Sequence, residues 1–297
     1  MFYNTKIDNI AQLSAINIDK FHFDASKSEN SKRLSNELSL KESYIMLYNS
    51  WFLIDDKLYY YKDTSIFKEL FLSELIKYFN LISLEYKYAY LSGNIGIISE
   101  SFKKTNYEYF DYDHYFQSKN LNVPRTLVEL NDIFDKILSK ENKQTLMNEF
   151  FRLTVFDWFS GQSDRGDANL IFKISSDTRL APIFDNGASM SYHKKIKENI
   201  LILLSSYFSS FDNLRFPIDN IYLNEDNFYL FKLITDNNEF FKYFSLALDI
   251  DITYFINETI KKYHLIIPSE DKKEIIEFFD YKKQIIENTL KLSIKYK

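Results

Sequence analysis

Gly161-Gln162-Ser163-Asp164-Arg165-Gly166-Asp167-Ala168-Asn169-Leu170-Ile171-Phe172, followed by Ala181-Pro182-Ile183-Phe184-Asp185-Asn186-Gly187, is the stretch that decides how this chain folds. It begins where an apolar run ends. Gln144 to Phe159 places Leu146, Met147, Phe150, Leu153, Thr154 and Trp158 on one helical face, and that helix stops at Ser160-Gly161. Asp164 and Asn169 then lie five positions apart across a tight loop, with Asn169 opening a strand. A hairpin of Asn169 to Ile174 and Leu180 to Phe184, turning at Ser175-Ser176-Asp177, returns the chain and delivers Asp185 beside Asn169. Gly187 lets the backbone turn away at once. Three oxygen-bearing side chains therefore converge from one compact segment. Phosphoryl transfer uses such a set: one carboxylate orients or deprotonates the attacking hydroxyl, and an amide oxygen with a second carboxylate holds Mg²⁺ against the phosphates. Either string alone is an ordinary surface turn; the helix before, the strand at Asn169 and the acid-Asn-Gly turn after the hairpin give the candidate site its context.

Upstream, Tyr44 to Tyr48, Trp51 to Ile54 and Leu58 to Lys62 have the composition of short strands, with Asp55-Asp56 as a hairpin turn. Ile66 to Phe79 is helical, with Phe67, Leu70, Phe71, Leu75 and Phe79 apolar and Glu69 and Glu74 interrupting them; one of the two acids is expected to point inward. Tyr86 to Leu91 and Ile95 to Ser99 form a second hairpin around Gly93-Asn94. Glu100 to Tyr107 is polar and is expected to be a flexible boundary. Ser26 to Ser43, crowded with Ser, Lys, Glu and Asn, reads as a mobile loop. From Leu127 onward the pattern is mainly helical and closes with Ser269 to Leu292 behind Pro268. Strands first and helices afterwards, with one hairpin inserted among the helices, make an α+β chain.

The composition excludes several classes. Hydrophobic residues are 45% and aromatics 18% of the 297 residues, enough for a packed interior. A formal net charge of -5 argues against a protein whose main partner is a nucleic-acid backbone. The chain has no cysteine, so disulfides, thiolate nucleophiles and Cys-ligated metals are excluded. The four histidines, His22, His114, His193 and His264, lack paired metal-ligand spacing. Asp111 and Asp113 beside His114 read as a solvated acidic loop. Met1 to Leu13 lacks a basic segment followed by an apolar run, and no stretch approaches eighteen uninterrupted apolar residues, so neither a conventional signal peptide nor a membrane association is expected.

Phe150 to Gly187 resembles the HipA-like serine/threonine kinases and, more distantly, the phosphatidylinositol kinases, which carry an Asp-Arg-His-x-x-Asn loop after an apolar helix and a hairpin ending in a metal-binding Asp. Leu58-Tyr59-Tyr60-Tyr61-Lys62 with Phe67-Lys68-Glu69-Leu70 is similar to that family's strand lysine and helix glutamate, and Ile95 to Phe102 is similar to the strand entering its hinge. The resemblance implies a bilobal protein-kinase-like fold, with a β-rich N-lobe over residues 1–105 and a mainly helical C-lobe over 106–297. It implies ATP and Mg²⁺ as cofactors, with Asp164 as catalytic base and Asn169 and Asp185 as metal ligands. Lys62 would hold the phosphates and pair with Glu69, preferred over Glu74 for its family-like position, while Glu100, Ser101 and Phe102 would meet adenine.

This chain departs from the family pattern at two places. Gly166 replaces the loop histidine, with the extra acid Asp167 beside it, and no glycine-rich phosphate flap precedes Lys62. Ser26 to Ser43 is the segment left to cover the nucleotide, and its serines are candidate autophosphorylation sites. The implied activity is transfer of phosphate to a protein Ser/Thr, in the role of a toxin or effector with an antitoxin or a host protein as partner. A small-molecule or lipid kinase and a nucleotide-binding pseudokinase are the alternatives on the same fold. The expected compartment is the cytoplasm, or a destination reached by export without a conventional signal peptide.

Overall fold

Short runs of aromatic and β-branched residues before residue 105 build one antiparallel sheet. The computed structural model describes residues 15–16, 32–33, 50–54, 57–91, 94–124, 127–162, 165, 169–190 and 238–296. β3 (Ser50–Ile54) and β4 (Lys57–Lys62) pair with Ile54 opposite Lys57, and β5 (Tyr86–Leu91) pairs with β6 (Asn94–Glu100) with Leu91 opposite Asn94. Both expected hairpins are therefore present; Tyr44 to Tyr48, Asp55, Asp56 and Gly93 lie outside the described residues. β1 (Ala15–Ile16) lies elsewhere, while β2 (Lys32–Arg33) joins β3 to give the order β2-β3-β4-β6-β5. Lys32 and Arg33 fall inside the segment expected to be a mobile loop and instead form an edge strand; the rest of Ser26 to Ser43 lies outside the described residues.

Between β4 and β5 the chain forms α1 (Ile66–Tyr78). Apolar residues occur on all sides of this helix, and every residue from Ile66 to Ile76 except Glu74 is buried. The reason is its position between the sheet and the helices that follow: Phe71 meets Phe279, Phe79 meets Phe156 and Phe159, and Tyr78 meets Phe255, at ring-centroid separations of 5.8 to 6.4 Å. Each such ring removed from water contributes about 1.5–3 kcal/mol before entropy is subtracted.

The expected catalytic hairpin is part of a three-stranded sheet, β7 (Glu108–Asp111), β8 (Ile171–Ile174) and β9 (Thr178–Leu180). Its return strand comes earlier than the expected Leu180 to Phe184 and shares only Leu180 with it. β9 ends at Leu180, and the chain then runs to Ile183, which forms an isolated parallel bridge with Ser83. Asp111 is the cap of α2 (Tyr112–Gln117), not a member of a solvated acidic loop: its carboxylate accepts from the His114 N–H at 3.0 Å and lies 2.6 Å from His114 Nδ1. Phe172 on β8 is fully buried and packs against Tyr112, Tyr115, Phe116, Phe134 and Phe150, which ties the hairpin to α2, α3 (Leu127–Ile137) and α4 (Lys140–Ser160).

α4 is capped by Ser139 and ends at Gly161 with φ 66°, the left-handed conformation that glycine adopts without strain. Of its expected apolar face Leu146, Met147, Phe150 and Leu153 are buried and Thr154 and Trp158 half-buried, while Val155, Phe156 and Phe159, which the expected face left out, are buried too. Three more helices complete the described chain: α5 (Asn238–Leu248), α6 (Ile252–Tyr263) and α7 (Ser269–Tyr296). β10 (Leu265–Ile266), directly after α6, pairs antiparallel with β1. Among the described residues no helix is long and apolar enough to cross a membrane.

Candidate active site

Lys62 ends β4, and its ammonium is the meeting point of two carboxylates. Nζ donates to Glu69 Oε1 at 2.6 Å and to Asp185 Oδ1 at 2.7 Å, the latter 123 residues away in sequence. The Glu69 side chain is fully buried in the first turn of α1 and its two oxygens accept four hydrogen bonds. Besides Lys62, Tyr86 OH donates to Oε2 at 3.2 Å, the Asn186 N–H to Oε2 at 3.0 Å and the Gly187 N–H to Oε1 at 3.0 Å. Four donors match the acceptor capacity of an ionised carboxylate, so Glu69 is buried without an orphaned lone pair. Burial pulls the Lys62 ammonium down, but the Glu69 and Asp185 charges and hydrogen bonds together outweigh it and leave the pKa raised. Burial, reinforced by Glu69, pushes the Tyr86 hydroxyl well above its ordinary value, so it remains a donor.

Asp185 stands at φ 54°, in the left-handed region that Asp tolerates better than most residues. Its neighbours hold it there. Gln162 Nε2 donates to the Asp185 carbonyl at 2.9 Å, Arg165 donates to the Phe184 carbonyl at 2.7 Å, and the next two amides are fixed on Glu69. The side chain itself is 43% exposed, so one of its oxygens is tied to Lys62 while the carboxylate still faces solvent. Gly187 is required by close approach: a Cβ there would lie 2.9 Å from Ser65 Cβ and 3.2 Å from Lys62 Nζ.

Arg165, the one described residue between Gln162 and Asn169, is buried and fully engaged. Nε and Nη2 form a two-pronged pair with Asp157 at 3.1 and 3.0 Å, and Nη2 also donates to Asn186 Oδ1 at 2.8 Å. Burial pushes the Asp157 carboxyl up, and the Arg165 charge and hydrogen bonds oppose that shift. Asp157 and Glu149 make α4 a platform for the site. They lie eight residues apart, about 12 Å along the helix; Glu149 receives the Leu180 N–H at 2.8 Å and Arg179 Nε at 2.7 Å, which fixes the start of the return segment. Sequence reasoning missed Asp157, Glu149, Gln162, Asn186 and Tyr86. The available signal was an acid inside Val155-Phe156-Asp157-Trp158-Phe159, because a charge in an apolar helix needs a partner.

At the end of β6, the Ser101 N–H donates to the Leu58 carbonyl at 2.7 Å and Tyr109 OH donates to the Phe102 carbonyl at 2.9 Å. The Phe102 ring lies 5.7 Å from both Tyr109 and Phe184, joining the end of the sheet to the residue before Asp185. Glu100, at the end of β6, pairs with Lys57, at the start of β4, where both side chains are exposed. Lys62, Glu69 and Asp185 are thus brought together. Asn169 is half-buried and does not open β8, which starts two residues later than expected, at Ile171; Asp164, Gly166 and Asp167 lie outside the described residues. Glu74 points away from Lys62, to Lys77, Lys262 and Tyr263. Among the described residues no cluster of three or more His, Cys, Asp or Glu is placed to hold a metal.

The chain aligns with the crystal structure of the Helicobacter pylori proinflammatory kinase CtkA with a TM-score of 0.57 and 19% identity, covering 84% of this chain and 94% of that one. The fold is kinase-like. A chain from the Shewanella oneidensis toxin–antitoxin complex of HipA, HipB and operator DNA matches with a TM-score of 0.45 and 12% identity over 80% of this chain and 59% of that one. No family model and no curated protein matches the sequence. The kinase-like architecture agrees with the α+β order expected from the sequence, antiparallel sheets first and helices predominating afterwards.

Proposed function

We propose that this chain is an ATP-dependent phosphotransferase, a HipA-like serine/threonine protein kinase, with the nucleotide between a β-rich lobe of residues 1–105 and a helical lobe of residues 106–297. One observation carries the proposal: Lys62 Nζ bridges the buried Glu69 and the exposed Asp185, while Glu69 also holds the Asn186 and Gly187 amides. A lysine between two carboxylates is positioned rather than merely neutralised, and its ammonium has the reach to meet phosphate oxygens. One ammonium with two carboxylates leaves a net negative charge beside an exposed Asp185 oxygen, which suits a divalent cation. Asp185 and Asn169 would hold Mg²⁺, which needs few protein ligands when phosphates and water complete its shell and which would neutralise charge on the transferring group.

Asp164 lies in sequence between Gln162 and Arg165, both of which bind the Phe184-Asp185 backbone, and is proposed as the base that accepts the hydroxyl proton. The Phe102 N–H, which makes no hydrogen bond among the described residues, is proposed as an adenine donor beside Ser101 and Glu100. The loop resemblance favours a protein Ser/Thr as acceptor, the serines of Ser26 to Ser43 as autophosphorylation sites, and a toxin or effector role with an antitoxin or host protein as partner. The test is transfer of labelled γ-phosphate from Mg²⁺-ATP to the chain and to generic protein acceptors. Incorporation in the wild type, reduced about 10²- to 10⁴-fold in Asp164→Ala and lost in Asp185→Ala, is expected; nucleotide binding without any transfer would replace this reading with a pseudokinase.

A further inference from the structure

We propose that Glu74, Lys262 and Tyr263 form a latch that sets the register of α1 and so acts as a positioning device for the Lys62–Glu69 pair, an inference whose activity arm rests on the phosphotransferase reading. α1 carries both acids. Glu69 faces the site from its first turn, and Glu74 lies five residues on, about 7.5 Å along the axis and on another face. Glu74 Oε1 accepts from Lys262 Nζ at 2.7 Å, from Tyr263 OH at 3.1 Å and from Lys77 Nζ of its own helix at 3.0 Å. Lys262 and Tyr263 close α6, whose continuation β10 is paired with β1.

The division of labour follows from the chemistry of the contacts. Apart from Glu74, the helix from Ile66 to Ile76 is buried, largely among apolar side chains. Apolar burial is non-directional and resists removal of the helix far more than a small slide or rotation within its groove. Glu69, by contrast, must satisfy four donors at 2.6 to 3.2 Å from three separate segments. Directional bonds at Glu74 supply what packing does not, and a helical turn and a half transmits the constraint as a rigid rod. The edge-on contacts of Tyr78 with Phe255, in the first turn of α6, and of Tyr88 on β5 with Tyr263, at its last residue, seat the two ends of α6 against α1 and β5. Burial disfavours the Glu74 carboxylate, yet the bonds and charges of Lys262 and Lys77 leave its pKa lowered, as an engaged latch requires.

The test is residue-resolved amide hydrogen exchange on the full chain, comparing wild type with Glu74→Gln and with the milder Tyr263→Phe. The Asn186 and Gly187 amides report Glu69 directly, and amides in the middle of α4 serve as the global reference. Loss of the latch is expected to speed exchange at Asn186 and Gly187 by about tenfold in Glu74→Gln and about threefold in Tyr263→Phe, with α4 unchanged. Unchanged Asn186 and Gly187, or an equal acceleration in α4, would overturn the latch, because the residues would then act on nothing or on overall stability alone. In the activity arm, kcat is expected to fall about tenfold at little cost in acceptor KM; equal loss in KM would also overturn it. If the wild type transfers no phosphate, the phosphotransferase reading fails on its own, while the exchange result still decides the latch.

Discussion

Asp157→Asn removes one charge from a pair that is buried on both sides, with side-chain exposures of 5% for Asp157 and 4% for Arg165. Arg165 cannot discharge, so the variant leaves a guanidinium in the interior with one weakened partner. Breaking a buried pair in this way costs about 3–5 kcal/mol; because Asn keeps one acceptor and Asn186 Oδ1 and the Phe184 carbonyl remain, the lower end, about 3 kcal/mol, is expected. For a chain of this size that corresponds to a fall in Tm of roughly 6–12 °C. Asp157→Leu combined with Arg165→Met removes both charges, and most of the stability should return. Phosphate transfer should not return with it, because the donors to Phe184 and Asn186 are gone. Thermal and urea unfolding measure the first effect and phosphotransfer the second. A single variant within about 1 kcal/mol of wild type, or a double variant less stable than Asp157→Asn, would refute the view of Arg165 as a buried clamp on the Asp185 turn.

Other expectations are checked more simply. Gly96→Ala would put a Cβ 2.5 Å from the ring of the buried Tyr61 and 2.6 Å from the Lys62 carbonyl, so stability should fall by about 1–3 kcal/mol in a denaturant titration. Gly187→Ala, with its Cβ 2.9 Å from Ser65 and 3.2 Å from Lys62 Nζ, should displace the lysine and weaken nucleotide binding by about tenfold or more, measured by calorimetry. The pH dependence of Glu74 has a definite sign. Its folded pKa is lowered, so its stabilisation is complete above the ordinary glutamate value of about 4.3 and is lost as pH falls through the lower folded value. The stability difference between wild type and Glu74→Gln should therefore be flat near neutrality and shrink in acid.

The parts legible in the sequence are those with strong local signals. Ile66 to Phe79 and Gln144 to Phe159 carry enough apolar residues to declare helices, though the second begins a turn earlier, at Lys140, and the two N-terminal hairpins follow from aromatic and β-branched runs. Asp185 is legible from the hairpin that returns the chain and the Lys62–Glu69 pair from the resemblance, while the contact of Lys62 with Asp185 across 123 residues is in neither. Asp157 and Glu149 are not legible because the buried side of this helix is wider than its apolar stripe, so an inward acid at its margin looks like one more residue of the polar side. The four-residue β7 and the six-residue α2 are too short for a period to emerge, so Asp111 looked like part of a loop instead of a cap. The pairing of β1 with β10 joins two dipeptides some 250 residues apart, about which local pattern is silent. Asn169 was expected to open its strand and sits two residues ahead, an ordinary boundary shift.

The most direct test of the central claim is calorimetric titration of wild type, Lys62→Met and Asp185→Asn with a non-hydrolysable ATP analogue, with and without Mg²⁺. The proposed site predicts Mg²⁺-dependent binding in the wild type, weakened about tenfold or more in Lys62→Met and stripped of its Mg²⁺ dependence in Asp185→Asn. Binding that is equal in all three proteins, or absent from the wild type, would contradict the assignment of the Lys62, Glu69 and Asp185 cluster to a nucleotide phosphate site.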